Sequence, residues 1–159
     1  MKKLAGEIQQ SQPFESLETE ALLNLQRTWD EMRRQSILPL KPHGLTGPQY
    51  NVLRILRGAE PDGLPCSEIG KRMVSHDPDI TRLLKRLDRL GLTRQRRDLR
   101  DRRVVHTRIT ETGLQRLKVL DPLVKKGAKQ ALGHLGAGKL STLIELLEEA
   151  RGADNRRSR

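Results

Sequence analysis

Twelve residues, ITRLLKRLDRLG at positions 80 to 91, leave this chain little freedom of fold. At 3.6 residues per turn, Ile80, Leu83, Leu84, Leu87 and Leu90 share one helical face. Arg82, Arg86 and Arg89, at i, i+4 and i+7 and flanked by Lys85, share another. Gly91 is placed to cap the C-terminus. A helix of this kind buries one side in a core and presents a row of cations on the other. Directly after it the period changes from 3.6 to 2. LTRQRR and VVHTRIT alternate as strands do, with Val105, Thr107 and Ile109 on one face and His106 and Arg108 on the other. Between them runs RRDLRDRR (96–103), five arginines and two aspartates around Leu99. The expected local structure is a basic helix followed by a β-hairpin with a charged tip.

The charge of the whole chain concentrates in the same place. The 159 residues carry a formal net charge of +11. From Arg82 to Arg108 there are eleven lysines and arginines, against Asp88, Asp98 and Asp101. A concentrated basic segment is the electrostatic footprint of a polyanionic partner such as nucleic acid. Phe14, Trp29 and Tyr50 are the only aromatic residues, so the core has to be built from leucine, isoleucine, valine and alanine. Three aromatics also argue against recognition of single strands by base stacking. No apolar run approaches the length of a membrane span, and the N-terminus lacks the apolar segment of a signal peptide. The lone Cys66 excludes an intrachain disulfide and fits a reducing cytoplasm. His43, His76, His106 and His134 have no metal-ligand spacing, so neither a metal nor a cofactor is expected.

The rest of the chain reads as helices around this segment. Polar tails expected to be disordered cover 1–14 and 152–159. Between them, Leu17, Ala21, Leu25, Trp29 (or Thr28) and Met32 predict a long helix within 15–40, ended by Pro39, Pro42 and Gly44. Thr46 is an N-cap candidate with Pro48 in the first turn of a second helix, in which Tyr50, Leu53 and Leu56 face one way and Val52 and Ile55 widen the stripe. AEPDGLP reads as a loop. A third helix is expected from Cys66 to Val74, with Ile69 and Met73 inward. After the hairpin a helix restarts at Thr110, with Leu114, Leu117, Leu120 (or Asp121) and Val124 as its early stripe and a kink at Pro122. A break at GHLGAG precedes a last helix over 139–150. The flanking helices, 15–40 and 114–151, have apolar stripes with little in the middle segment to cover them. Burial against a second copy is the simplest solution.

LTGPQYNVLRIL, SEIGKRM, PDITRLLKRLDRLGL and DLRDRRVVHTRITETG, taken in this order and spacing, resemble the MarR family of winged helix-turn-helix transcription regulators. The resemblance runs from about residue 45 to 113. It departs from the family pattern at Pro65, Cys66 and His106, outside the DNA-binding motif. It implies a mainly α fold with a small β-hairpin, in which a winged helix-turn-helix core (45–113) is flanked by N- and C-terminal dimerisation helices. It further implies a homodimer on a pseudo-palindromic operator, released by a small ligand or an oxidant.

The residues themselves suggest roles. An α-helix fits the major groove, and residues at its start reach base edges. These are Pro78, Asp79, Thr81 and Arg82. Thr81 can touch a thymine methyl or hydrogen-bond a base, and Arg82 can engage guanine with two hydrogen bonds. Asp79 suits a capping role better than acceptance from cytosine. Lys85, Arg86 and Arg89 suit phosphates. Arg100, in mid-turn, suits insertion into a narrow minor groove, and Arg102 either phosphate or solvent. Asp98 and Asp101, with Arg103, would shape the wing. Trp29, His43 and Tyr50 would line a ligand cleft if they converge, although core packing is the simpler role for Trp29 and Tyr50. Two rival readings are a nonspecific nucleic-acid-binding protein and an enzyme. No Gly-rich phosphate loop, paired carboxylates or nucleophile–base motif supports the latter.

Overall fold

The computed structural model describes residues 4–36, 38–75, 79–97 and 104–152. In chain order the elements are α1 (Leu4–Glu7), α2 (Leu17–Ser36), a 3-10 helix (Leu38–His43), α3 (Gly47–Arg57), β1 (Leu64–Pro65), α4 (Cys66–Lys71), α5 (Ile80–Arg89), β2 (Thr93–Arg97), β3 (Val105–Ile109), α6 (Glu111–Leu132), a second 3-10 turn (Gly133–Leu135) and α7 (Gly136–Gly152). They form two compact units, one of residues 37–126 and one of residues 1–36 with 127–159. Among the described residues no helix is long and apolar enough to cross a membrane.

The 37–126 unit is a lobe with its own core. Leu40, Val52, Leu53, Leu56, Ile69, Leu84, Leu87, Leu117 and Leu120 are almost completely buried, drawn from α3, α4, α5, α6 and the first 3-10 helix. Thr46 begins α3 with a reciprocal capping box. The Gln49 N–H donates to Thr46 Oγ1 (3.4 Å), and the Thr46 N–H donates to Gln49 Oε1 (2.9 Å). The turn after α4 is clasped from α3, where Asn51 Oδ1 accepts from the Val74 N–H at 3.0 Å.

The sheet has three strands in the order β1-β3-β2, all antiparallel. The wing is therefore larger than the two-stranded hairpin expected. Leu64–Pro65, read as part of a loop, adds to β3 opposite Thr107 and His106. Two residues are too few to show alternation, and Pro65 is tolerated because β1 is an edge strand. Two helix boundaries also differ. α4 ends at Lys71, with Met73 buried beyond it and Val74 exposed. α7 starts at Gly136, ahead of the expected residue 139. Pro122 sits inside α6, which is continuous from Glu111 to Leu132.

The other unit holds α1, α2, the end of α6 and α7. The segment expected to be a disordered N-terminal tail contains α1, whose Leu4 is buried. On α2, Leu17, Leu22, Leu25 and Trp29 are exposed, and on α7 Ile144 and Leu146 are exposed. Trp29 is thus not packed into a core within one chain.

Candidate nucleic-acid interface

Local chemistry fixes α5 at both ends. Asp79 is the N-cap, its Oδ1 accepting from the Arg82 N–H at 2.9 Å. At the other end Gly91, at φ +67°, reverses the chain. The Gly91 N–H donates to the Asp88 carbonyl and the Leu92 N–H to the Leu87 carbonyl, at 2.8 and 3.0 Å. This is the paired-bond arrangement that terminates helices at a left-handed glycine. Thr110 then ties the turn to the next helix. Its hydroxyl donates to the Gly91 carbonyl (2.7 Å), and its Oγ1 accepts from the Gly113 N–H in the first turn of α6 (3.1 Å). The end of α5, the end of β3 and the start of α6 therefore share one hydrogen-bonded junction.

Between those ends α5 divides as its sequence requires. Ile80, Leu84 and Leu87 are buried and Leu83 is half-buried, whereas Thr81, Arg82, Lys85, Arg86 and Arg89 are exposed. Leu90, expected on the buried face, is 48% exposed because it sits where the helix unwinds into the Gly91 turn. Thr81 Oγ1 lies 3.9 Å from Cys66 Sγ, joining the start of α5 to the start of α4. Cys66 itself is half-buried against the lobe's core. Pro78, Asp98, Arg100, Asp101, Arg102 and Arg103 lie outside the described residues.

The three residues considered for a ligand cleft fall in different places. Trp29 belongs to the helical unit, and His43 and Tyr50 belong to the lobe. The His43 carbonyl accepts from Arg116 Nη1 at 2.7 Å. Tyr50 is buried, and its hydroxyl donates to Asp121 Oδ1 at 2.6 Å. The other oxygen of Asp121 accepts from Arg57 Nη1, also at 2.6 Å. Arg54 lies 5.9 Å from the centre of the Tyr50 ring. Burial, followed by the Asp121 hydrogen bond, pushes the Tyr50 hydroxyl up to about 12. Burial works upward on Asp121 too, but the hydrogen bonds from Arg57 and Tyr50 outweigh it and hold the carboxyl below its ordinary value. This triad joins α3 to α6. The helical spacing leaves Asp121 undistinguished beside Leu120, and the triad becomes visible only when residues 50, 57 and 121 meet in space.

In the helical unit a cavity of about 640 Å³ is lined by Arg27, Glu31, Met32 and His134 among others. Among the described residues no group of three or more His, Cys, Asp or Glu is placed to hold a metal ion.

A model of the MarR family matches residues 43–104, the stretch from the end of the first 3-10 helix to the start of β3. The crystal structure of a MarR transcription factor from Planctomyces limnophilus is 41% identical, covers 86% of this chain and 98% of its own, and superposes with a TM-score of 0.67. This chain belongs to the MarR family. It is a DNA-binding regulator with a winged helix-turn-helix lobe and flanking long helices. Two further regulators are similar to this chain. The PcaV transcriptional regulator from Streptomyces coelicolor, solved in complex with its natural ligand, is 27% identical over 90% of this chain and 99% of its own, with a TM-score of 0.71. The homoprotocatechuate degradative operon repressor of Escherichia coli is 27% identical over 110 residues, 69% of this chain and 73% of its own length.

Proposed function

We propose that the chain is a homodimeric repressor that reads a pseudo-palindromic operator in double-stranded DNA and is released by a small ligand. One observation supports this above the others: α5 is capped at both ends, buried along one side, and exposed along the side that carries Thr81, Arg82, Lys85, Arg86 and Arg89. In this reading Thr81 and Arg82 meet base edges, with Pro78 and Asp79 at the helix entry. Lys85, Arg86 and Arg89 meet phosphates. Arg100 enters the minor groove, Arg102 meets phosphate or solvent, and Asp98, Asp101 and Arg103 hold the wing's shape.

Homodimerisation is supported by the exposed apolar residues of α2 and α7, which a second copy would cover. Repression and ligand release are supported by the Escherichia coli repressor and the ligand complex of the Streptomyces coelicolor regulator. The cavity in the helical unit is the place proposed for the effector. The hydrogen bonds that occupy Tyr50 favour a packing role for it instead.

Selection of bound duplexes from a random pool, with light scattering of the free protein, tests the reading. The expected product is a pair of inverted half-sites about 10 bp apart, centre to centre, bound by a protein of twice the chain mass. Enrichment of a single unrepeated site by a monomer would refute it.

A further inference from the structure

The outer face of the wing sheet carries charge that α5 does not account for. In the register of β2 and β3, Arg94 stands directly across from Arg108, and Arg96 from His106. Residues opposed in this way project to the same face of a sheet, here the one opposite buried Thr93, Thr107 and Ile109. Like charges directly opposite one another, as Arg94 and Arg108 are, destabilise a strand pair. Among the described residues no ion pair includes Arg94, Arg96 or Arg108.

Arg108 is nevertheless held in place by backbone. Its Nε donates to the carbonyl of Asp62 at 3.1 Å, so Asp62 contributes its carbonyl and not its charge. Gly63, at φ +73°, approaches so closely that a Cβ there would lie 2.6 Å from Arg108 Cγ and would also collide with the Thr107 carbonyl. Arg94, Arg96 and Arg108, with Ile109 and Thr110, line a concavity of about 440 Å³. Thr110 is the residue bonded to the Gly91 turn, which sets the concavity beside the end of α5.

We propose that this face is a phosphate-binding surface for the backbone of the bound duplex, additional to α5 and the wing tip. The proposal rests on the DNA-binding reading above. A phosphate between Arg94 and Arg108 would accept charge-assisted hydrogen bonds from both guanidiniums and turn their repulsion into shared attraction. Phosphates carry no base identity, so the contribution is the same for every sequence.

The test is fluorescence anisotropy with a selected duplex and a random duplex over a range of salt, for wild type, Arg94→Gln, and Arg94→Gln with Arg108→Gln. The slope of log K against log salt should become shallower by about 1.8 in the double variant, one phosphate lost in each half-site of the dimer, and by less than that in the single variant. Both duplexes should be affected alike. Arg94→Gln should melt no lower than wild type, because the cross-strand repulsion is gone while the Arg108–Asp62 hydrogen bond is kept. A slope unchanged in both variants would overturn the proposal, as would a loss confined to the selected duplex. Binding of inorganic tripolyphosphate that the variants abolish while the DNA slope stays unchanged would also overturn it, by assigning the face to a free anion. Failure of wild type to bind either duplex would instead remove the DNA-binding reading, and this inference with it.

Discussion

The two units treat their apolar residues in opposite ways. In the lobe, Val52, Leu53, Leu56, Ile69, Leu87, Leu117 and Leu120 are sealed from water by one another. In the helical unit, Leu17, Leu22, Leu25, Trp29, Ile144 and Leu146 stay exposed. The lobe meets its own requirement for burial within one chain, whereas the helical unit leaves that requirement open. A domain of the first kind presents a rigid face. One of the second kind is completed by something else, and the dimer proposed above supplies it.

The contrast is sharpest for large-to-small substitutions. Leu53→Ala in the lobe should cost about 2–5 kcal/mol in chemical denaturation, because it removes buried methyl groups and leaves a cavity. Trp29→Ala should leave the unfolding of the isolated chain within ~0.5 kcal/mol of wild type while weakening self-association. A large stability loss from Trp29→Ala at protein concentrations where the chain is monomeric would break the comparison.

The triad of Tyr50, Arg57 and Asp121 gives a second, smaller test. Asp121→Ala should cost about 1–3 kcal/mol, since it strands a buried hydroxyl beside an arginine. pH separates the partners. The Tyr50 hydroxyl is raised to about 12 in the folded lobe, so its contribution is complete below pH 10 and declines as pH rises from 10 toward 12. Asp121 is shifted the other way, so its contribution is present above the ordinary carboxylate range and is lost as pH falls through its lowered value. Tyr50→Phe should flatten the alkaline limb of the stability–pH curve, whereas Leu53→Ala, which leaves the triad intact, should keep it.

Much of the lobe was legible in the sequence because its signals are local. The Thr46 cap, the split faces of α5, the Gly91 stop, and the alternation of Val105, Thr107 and Ile109 each depend on residues a few positions apart. The features that escaped sequence reading are of another kind. β1 is too short to have a period, and its pairing with β3 spans more than forty residues. Asn51 and Asp121 act on partners brought close only by folding. Leu90 fits the apolar period of α5 and is exposed only because the chain turns at Gly91. For the site itself, the cation row of α5 was readable as a pattern. The junction at Thr110 and the cross-strand Arg94–Arg108 pair depend on strand register, which the sequence constrains only through alternation.

Whether the exposed face of α5 reads duplex DNA is decided by comparing Arg82→Ala with Arg89→Ala in salt-dependent binding. Arg82→Ala should cost about 1–3 kcal/mol on the selected duplex and narrow its preference over random DNA. Arg89→Ala should weaken both duplexes alike and make the salt slope shallower by about 2, one phosphate contact in each half-site of the dimer. Wild-type binding with no salt dependence, or equal and sequence-blind losses in the two variants, would contradict a DNA-reading face on α5.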